Sequence, residues 1–254
     1  MLFRSRAGFE RRELGEQFYY YTRYGTPLAF VRPLDLLGQA GLTSLRDAGI
    51  VDFGFGSIGQ LRLMASLGAS VTGIEVDPLL EIMYGADMGA VTASKAAGSP
   101  GVSGTINLVF GSFPTEVGGA VTGNLDAFIS KNTLKRGYVH PEREVDPRML
   151  VHLGVDDSTF VREVFNRLKP GGLFMIYNLH PARSQPEDEK YTPWSDGRSP
   201  FDRATFQAAG FEVLAFDVDD TQYARMMGIA LGWAESMDFE KDLFGTYTLV
   251  RRPK

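Results

Sequence analysis

The sequence predicts an α/β fold: a mostly parallel, doubly wound sheet of seven strands, helices on both faces, and an antiparallel strand at the C-terminal edge. Three observations carry this expectation. Between residues 50 and 177, short apolar runs alternate with helical patterns, the order of a parallel sheet wrapped by helices. The first run, Ile50-Val51-Asp52-Phe53, ends in the glycine turn Gly54-Phe55-Gly56, and a helical pattern follows at once. After residue 177 the alternation breaks, and a late apolar run at 246–250 follows a helical stretch.

Residues 1–48 precede the first strand. Arg11, Arg12, Glu13 and Glu16, followed by Phe18, Tyr19, Tyr20 and Tyr21, describe a helix that is polar first and aromatic later. The aromatics read either as a face packed on the core or as a lid over a substrate pocket. Tyr24-Gly25-Thr26-Pro27 is a turn signal, and short helices are expected at 34–37 and 42–45. The helix after the glycine turn presents Leu61, Met64, Ala65 and Leu67 to the core. A second strand, in the stretch 71–78, ends in the acidic residues Glu75 and Asp77. Pro78 opens a helix expected to run through Met88, with Asp77 as its start residue. A loop at 98–101 leads to strands at 105–110 and 125–130, and an irregular charged stretch, 131–157, follows them. Asp157-Ser158-Thr159 is the expected cap of the next helix, which Lys169-Pro170-Gly171-Gly172 stops before a fifth strand at 173–177. A polar segment, a helix at 201–209, a strand at 211–216, a helical insertion at 219–243 and the last strand complete one domain over 1–254.

Composition bounds the function. The 254 residues are 44% hydrophobic and 22% charged, with a net charge of −5, so a sizeable core is expected and a broad nucleic-acid face is not. With no cysteine, disulfides and thiolate chemistry are excluded. No apolar run is long enough for a membrane helix and the N-terminus lacks a signal-peptide core, so no membrane association and a cytoplasmic location are expected. Three histidines without paired spacing offer no zinc site. Asp217, Asp219 and Asp220 read as an exposed loop rather than a metal site.

A strand, a glycine turn and a helix start make a nucleotide pocket at the carboxyl edge of a sheet. Gly54 to Gly59 fit the dinucleotide spacing G-x-G-x-x-G, with Glu75 at a suitable distance. Asp52 argues otherwise, because an apolar residue ordinarily lies under a dinucleotide turn. Asp52, Gly54 and Gly56, the acid Glu75 at the second strand, Asp126 in the fourth, and Leu168-Lys169-Pro170-Gly171-Gly172 together resemble the class I S-adenosylmethionine-dependent methyltransferases, over roughly residues 49–177. Two departures stand out. The third glycine is displaced to Gly59, and Ser112 occupies the place of an adenine-binding aspartate.

The resemblance implies a Rossmann-like fold, S-adenosyl-L-methionine as cofactor, and methyl transfer to an O, N or C atom of a small molecule. It assigns cofactor contacts to Asp52, Gly54, Phe55, Gly56, Glu75, Val76, Ser112, Phe113 and Ser130, with Glu75 on the ribose and Val76 and Phe113 around the adenine. Two histidines, His140 in the long loop and His180 after the fifth strand, are candidate bases. His152, in an apolar run, reads as a packed structural ring. A nicotinamide-dependent oxidoreductase and a non-catalytic S-adenosylmethionine-binding module are the competing readings. The oligomeric state stays open, with 226–233 a candidate homodimer interface.

Overall fold

A computed structural model describes residues 15–21, 25–92 and 102–254. The arginines and acids expected before Gly15, Tyr24 of the turn and the 98–101 loop lie outside them. In chain order the elements are α1 (Glu16–Tyr21), α2 (Val31–Gln39), β1 (Gly49–Phe53), α3 (Ile58–Ser66), β2 (Ser70–Glu75) and α4 (Pro78–Tyr84). Next come β3 (Gly89–Thr92), β4 (Ser103–Phe110), β5 (Leu125–Lys131), α5 (Arg136–Val139), α6 (Asp157–Arg167) and β6 (Leu168–His180). The chain ends with α7 (Arg203–Ala209), β7 (Glu212–Asp219), α8 (Thr221–Ala230), α9 (Phe239–Asp242) and β8 (Phe244–Arg251).

The sheet has eight strands in the order β3-β4-β2-β1-β5-β6-β8-β7. Strands β4, β2, β1, β5 and β6 are parallel, so the doubly wound class is as expected. The order runs one way from β1 to β4 and the other way from β1 to β6, and the crevice that binds ligands in such sheets opens at that reversal.

Four expectations are corrected. The eighth strand is β3, antiparallel to β4; α4 stops at Tyr84 instead of continuing through Met88, and Gly89, at φ +121°, starts the pairing. β8 is antiparallel as expected, but it lies between β6 and β7, not at the edge. The 42–45 segment is not helical; the Leu42 amide closes α2 on Leu37 O at 3.0 Å and the chain then runs to β1. The cap of α6 is Asp156, whose carboxylate accepts from the Thr159 amide at 2.8 Å.

Alternating side chains feed two cores. Ile50, Ile129 and Met175 meet Leu36, Leu61, Met64 and Tyr84 on the α2–α3–α4 face. Val51, Phe128 and Phe174 meet Phe160, Val164 and Phe206 on the α6–α7 face. The second core is a ladder of phenylalanines. Phe53 lies edge-on to Phe160 at 5.4 Å, and Phe128 edge-on to Phe174 at 5.4 Å, the arrangement that ring quadrupoles favour.

Polar pairs fix the ends. Lys169 of the glycine-rich stop pairs with Asp126, which also accepts from the Gly49 amide at 3.0 Å. Both motif residues thus serve the amino ends of β1 and β5. The aspartates at and just after the end of β7 match the expected exposed loop only at Asp219; Asp217 is half-buried in the strand. Asp217 accepts from the Ser199 amide at 2.7 Å, and Asp219 caps the Thr221 amide at 2.9 Å. Asp220 is buried, and the Arg32 guanidinium grips it at 2.6 and 2.9 Å. The Tyr177 hydroxyl donates to the same carboxylate at 3.1 Å, and Tyr223 lies under the guanidinium at 3.9 Å. No group of acidic or histidine side chains among the described residues could hold a metal ion, and no described helix is long and apolar enough to cross a membrane.

Asp220→Asn leaves the Arg32 guanidinium with only the exposed Asp35 as its counter-charge and is expected to cost about 2 kcal/mol. Tyr177→Phe removes one hydrogen bond and is expected to cost about 1 kcal/mol. Urea unfolding midpoints at constant slope check both.

Candidate functional site

The turn after β1 is built from the inside out. Gly54 and Gly56 take φ of +71° and +61°, the left-handed region that side chains resist. A Cβ on Gly54 would also strike Thr133 at 2.2 Å. Gln60, in the first turn of α3, holds the loop from below. Its amide donates to Phe55 O and to Asp52 Oδ2, and its oxygen accepts from Ser57 Oγ at 2.7 Å. With the loop so held, the Gly56 amide donates to Glu75 Oε2 at 3.2 Å across β1 and β2. Glu75 Oε1 takes the Val76 and Asp77 amides at 2.8 and 3.3 Å. Burial still pushes the Glu75 carboxyl up from the ordinary value.

Above this rim lies a cavity of about 1020 Å³. One end, over β2 and β4, is lined by Glu75, Val76, Ser112 and Phe113; the glycine turn forms the middle; the other end, over β5 and β6, is lined by Lys131, Lys135, Tyr138, His180 and Trp194. Segments 148–152 and 233–243 supply further walls, among them Met149, Trp233 and Leu243.

The site residues expected from sequence fall into three groups. Gly54, Phe55, Gly56, Glu75, Val76, Ser112, Phe113 and His180 all line this cavity. Val76 is 67% exposed, whereas Phe113, at 2%, is wedged among Phe53, Phe128 and Phe160. Asp52 and Ser130 are fully buried and do not line it. Asp52 lies beneath the loop with Oδ1 unpartnered, and Ser130 Oγ accepts from the Leu134 amide at 3.1 Å. His140 is not at the cavity: its ring is exposed and held 2.9 Å from Asp157 on the outer side of α6. His152 is exposed at the cavity wall instead of packed.

His180 sits in the wall with both nitrogens engaged. Nδ1 lies 2.9 Å from Pro181 O and Nε2 3.0 Å from Thr246 Oγ1. A carbonyl only accepts, so Nδ1 carries the hydrogen and Nε2 accepts from the threonine. Burial holds the ring below its ordinary pKa, and Phe244 stacks on it at 5.9 Å. A base role would first require breaking the threonine bond.

The residues not singled out from sequence are those of the β5–α5 turn. Asn132 donates its amide to Tyr177 O at 3.0 Å, and its Oδ1 accepts from the Leu179 amide at 2.7 Å. Thr133 Oγ1 donates to Gly54 O at 3.1 Å. Lys135, 4% exposed, donates to Leu179 O at 2.6 Å and Trp194 O at 3.2 Å. Lys131 ends β5 at the level of Tyr177, with its ammonium 5.5 Å from the Phe30 ring. The legible signal was a polar run, Ser130-Lys131-Asn132-Thr133, closing an apolar strand at the ligand-binding edge.

Gly59 also acquires a reason. A Cβ there would lie 2.2 Å from Pro27 Cγ and 3.0 Å from Tyr20 O. The glycine admits the N-terminal segment onto α3, so packing explains the dinucleotide-like spacing. Tyr19 and Tyr20 follow the packing reading: Tyr19 lies edge-on to Tyr84 at 5.1 Å and bonds Asp87, and neither lines the cavity.

No protein-family model matches the chain, and no curated protein matches it. Solved structures do. An S-adenosylmethionine-dependent methyltransferase from Mesorhizobium loti is 16% identical, with 88% of this chain and 98% of that one covered and a TM-score of 0.47. The (4+2)-cyclase SpnF is 17% identical, covering 87% and 80%, at 0.46. Phosphoethanolamine N-methyltransferase 2 of Haemonchus contortus is 12% identical, covering 93% and 59%, at 0.45. TM-scores this low at so little identity do not bear on chemistry.

Burial lifts Asp52 from the ordinary 3.8 to about 7, against the pull of Gln60 and Lys131. Between those values the folded chain holds a proton that the unfolded chain has lost, so stability falls as pH rises through that window. Glu75 acts with the same sign. Asp52→Asn is therefore expected to shrink the fall and to stabilise the ligand-free protein near neutral pH by roughly 1–4 kcal/mol. Urea unfolding from pH 4 to 8 checks this; an unchanged slope with pH would refute it.

Proposed function

We propose that this chain is an S-adenosylmethionine-dependent methyltransferase acting on a small molecule. One observation carries the reading: Glu75 stands at the end of β2, beside the glycine turn that leaves β1 where the strand order reverses, on the rim of a large cavity. Its Oε2 accepts one backbone amide and keeps a further lone pair, while Oε1 already takes two amides, which suits a ribose hydroxyl at Oε2. Val76 offers an exposed apolar contact to a base, and Ser112 a polar one. The Gly54 and Gly56 backbone lets a ligand approach where a side chain would intrude. The residues therefore fit an adenosyl group along β2 and β4, with its amino-acid end over the glycine turn.

S-adenosylmethionine supplies, when bound, an already activated methyl group. The protein's part is then to position. Glu75 and the glycine turn fix the donor, the walls over β5 and β6 hold the acceptor, and segments 148–152 and 233–243 keep water out. Orientation of this kind is worth roughly 7–11 kcal/mol of barrier. The enclosed acceptor end supports a small molecule rather than a macromolecular one. The oxidoreductase reading loses its motive, since Gly59 serves Pro27.

Isothermal titration tests the reading. Wild-type protein is expected to bind S-adenosylhomocysteine and not NAD. Glu75→Ala is expected to weaken that binding at least about tenfold, because a hydrogen bond to a carboxylate, at about 1.5 kcal/mol, is lost. Binding of NAD alone would overturn it.

A further inference from the structure

We propose that the end of the cavity over β5 and β6 is an anion subsite, in which Lys131, reinforced by Lys135, takes a carboxylate or phosphate group of the acceptor. The proposal deepens the methyl-transfer reading and rests on it for calling this ligand an acceptor.

The argument is one of unmatched charge. Lys131 lines the cavity; among the described residues its ammonium makes no hydrogen bond, the Phe30 ring lies beside it, and Asp52 attracts it from below. Lys135 lines the same end, and both its hydrogen bonds go to carbonyl oxygens, which neutralise nothing. The nearby acids do not balance both amines. Glu75 faces the opposite end under three amides. Asp52, on the same sheet face as Lys131, attracts it but is sealed beneath the glycine turn, does not line the cavity and can offset only one of the two amines. Asp242, at the wall, accepts from the Asp238 amide at 2.9 Å. Arg148 is paired with Asp146, and His180 is neutral and doubly bonded. Two amines facing one hollow, with one acid buried below them and Asp242 tied to the Asp238 amide at the wall, favour a ligand that carries the missing negative charge. Tyr138 and Trp194 provide flat walls beside it.

The position also separates this role from the donor's. Lys131 is paired in register with Tyr177 of β6, away from β2 and Glu75. Burial holds both amines below the ordinary 10.5, Lys131 at about 8 and Lys135 at about 7. An anion should therefore bind with proton uptake, and more weakly as pH climbs past that range.

Titration calorimetry of wild-type, K131M and K131R protein, with and without S-adenosylhomocysteine, provides the test. The probes are inorganic phosphate, phenyl phosphate, 4-hydroxybenzoate and its neutral counterpart 4-hydroxybenzamide. Support would be binding of an anionic probe at least about tenfold tighter than the amide, lost in K131M and kept in K131R. Phosphate against carboxylate preference identifies the group. Lysine-dependent anion binding in a protein that ignores S-adenosylhomocysteine supports the subsite and sinks the methyl-donor reading. Equal binding of acid and amide, or no anion bound, overturns the subsite. So does a K131M variant, folded by its thermal transition, that loses S-adenosylhomocysteine but still binds 5′-methylthioadenosine, since Lys131 would then hold the donor's own carboxylate.

Discussion

Gln60 is the side chain on which the rim depends. A turn that leaves a parallel strand between two others has polar groups that no ladder can satisfy. Here one buried amide takes Phe55 O and Asp52 on its donor side and Ser57 on its acceptor side. Such a network is strong because water cannot compete for it. It keeps Gly54 and Gly56 in left-handed conformations and so brings the Gly56 amide within reach of Glu75. The cost is visible one layer down, where Asp52 keeps an oxygen with no partner. A buried acid held this way is unfavourable for the empty fold, and the strain sits directly beneath the place where a ligand is proposed to lie.

The two faces of the sheet divide the work. Beneath β1 and β5, the phenylalanine ladder from Phe53 to Phe206 makes a stiff floor of interlocking rings. On the other face, α3 carries both the support for the glycine turn and the seat for the N-terminal segment. Gly59 does the second of these, and its position three residues after Gly56 imitates a nucleotide fingerprint for a reason unrelated to nucleotides.

What could be read from the residues was what depends on neighbours in sequence. Strand and helix alternation, the glycine turn and the acid ending β2 follow from periodicity and local backbone demands, and most of the cavity rim came with them. β3 escaped because four residues beginning with a glycine carry little pattern, and it exists only through pairing with β4. The acceptor end escaped for a related reason. Lys135 is placed by carbonyls of Leu179 and Trp194, far along the chain, and nothing around it in sequence shows that its amine is enclosed. His140 and His152 illustrate the same limit in opposite directions. The ring expected at the site is drawn outward by Asp157, while the ring expected inside lies at the cavity wall.

The grip of Arg32 on Asp220 joins two distant stretches of chain. α2 follows Phe30 at one side of the cavity, and α8 leads into Trp233 and Leu243 at another. These two covers share a fastening that is buried and reinforced by Tyr177 and Tyr223. Neither flap can lift alone without leaving the buried Asp220 carboxylate unpaired by Arg32, so the hollow is clasped from two sides at once, and whatever loosens one hand of the clasp loosens the other.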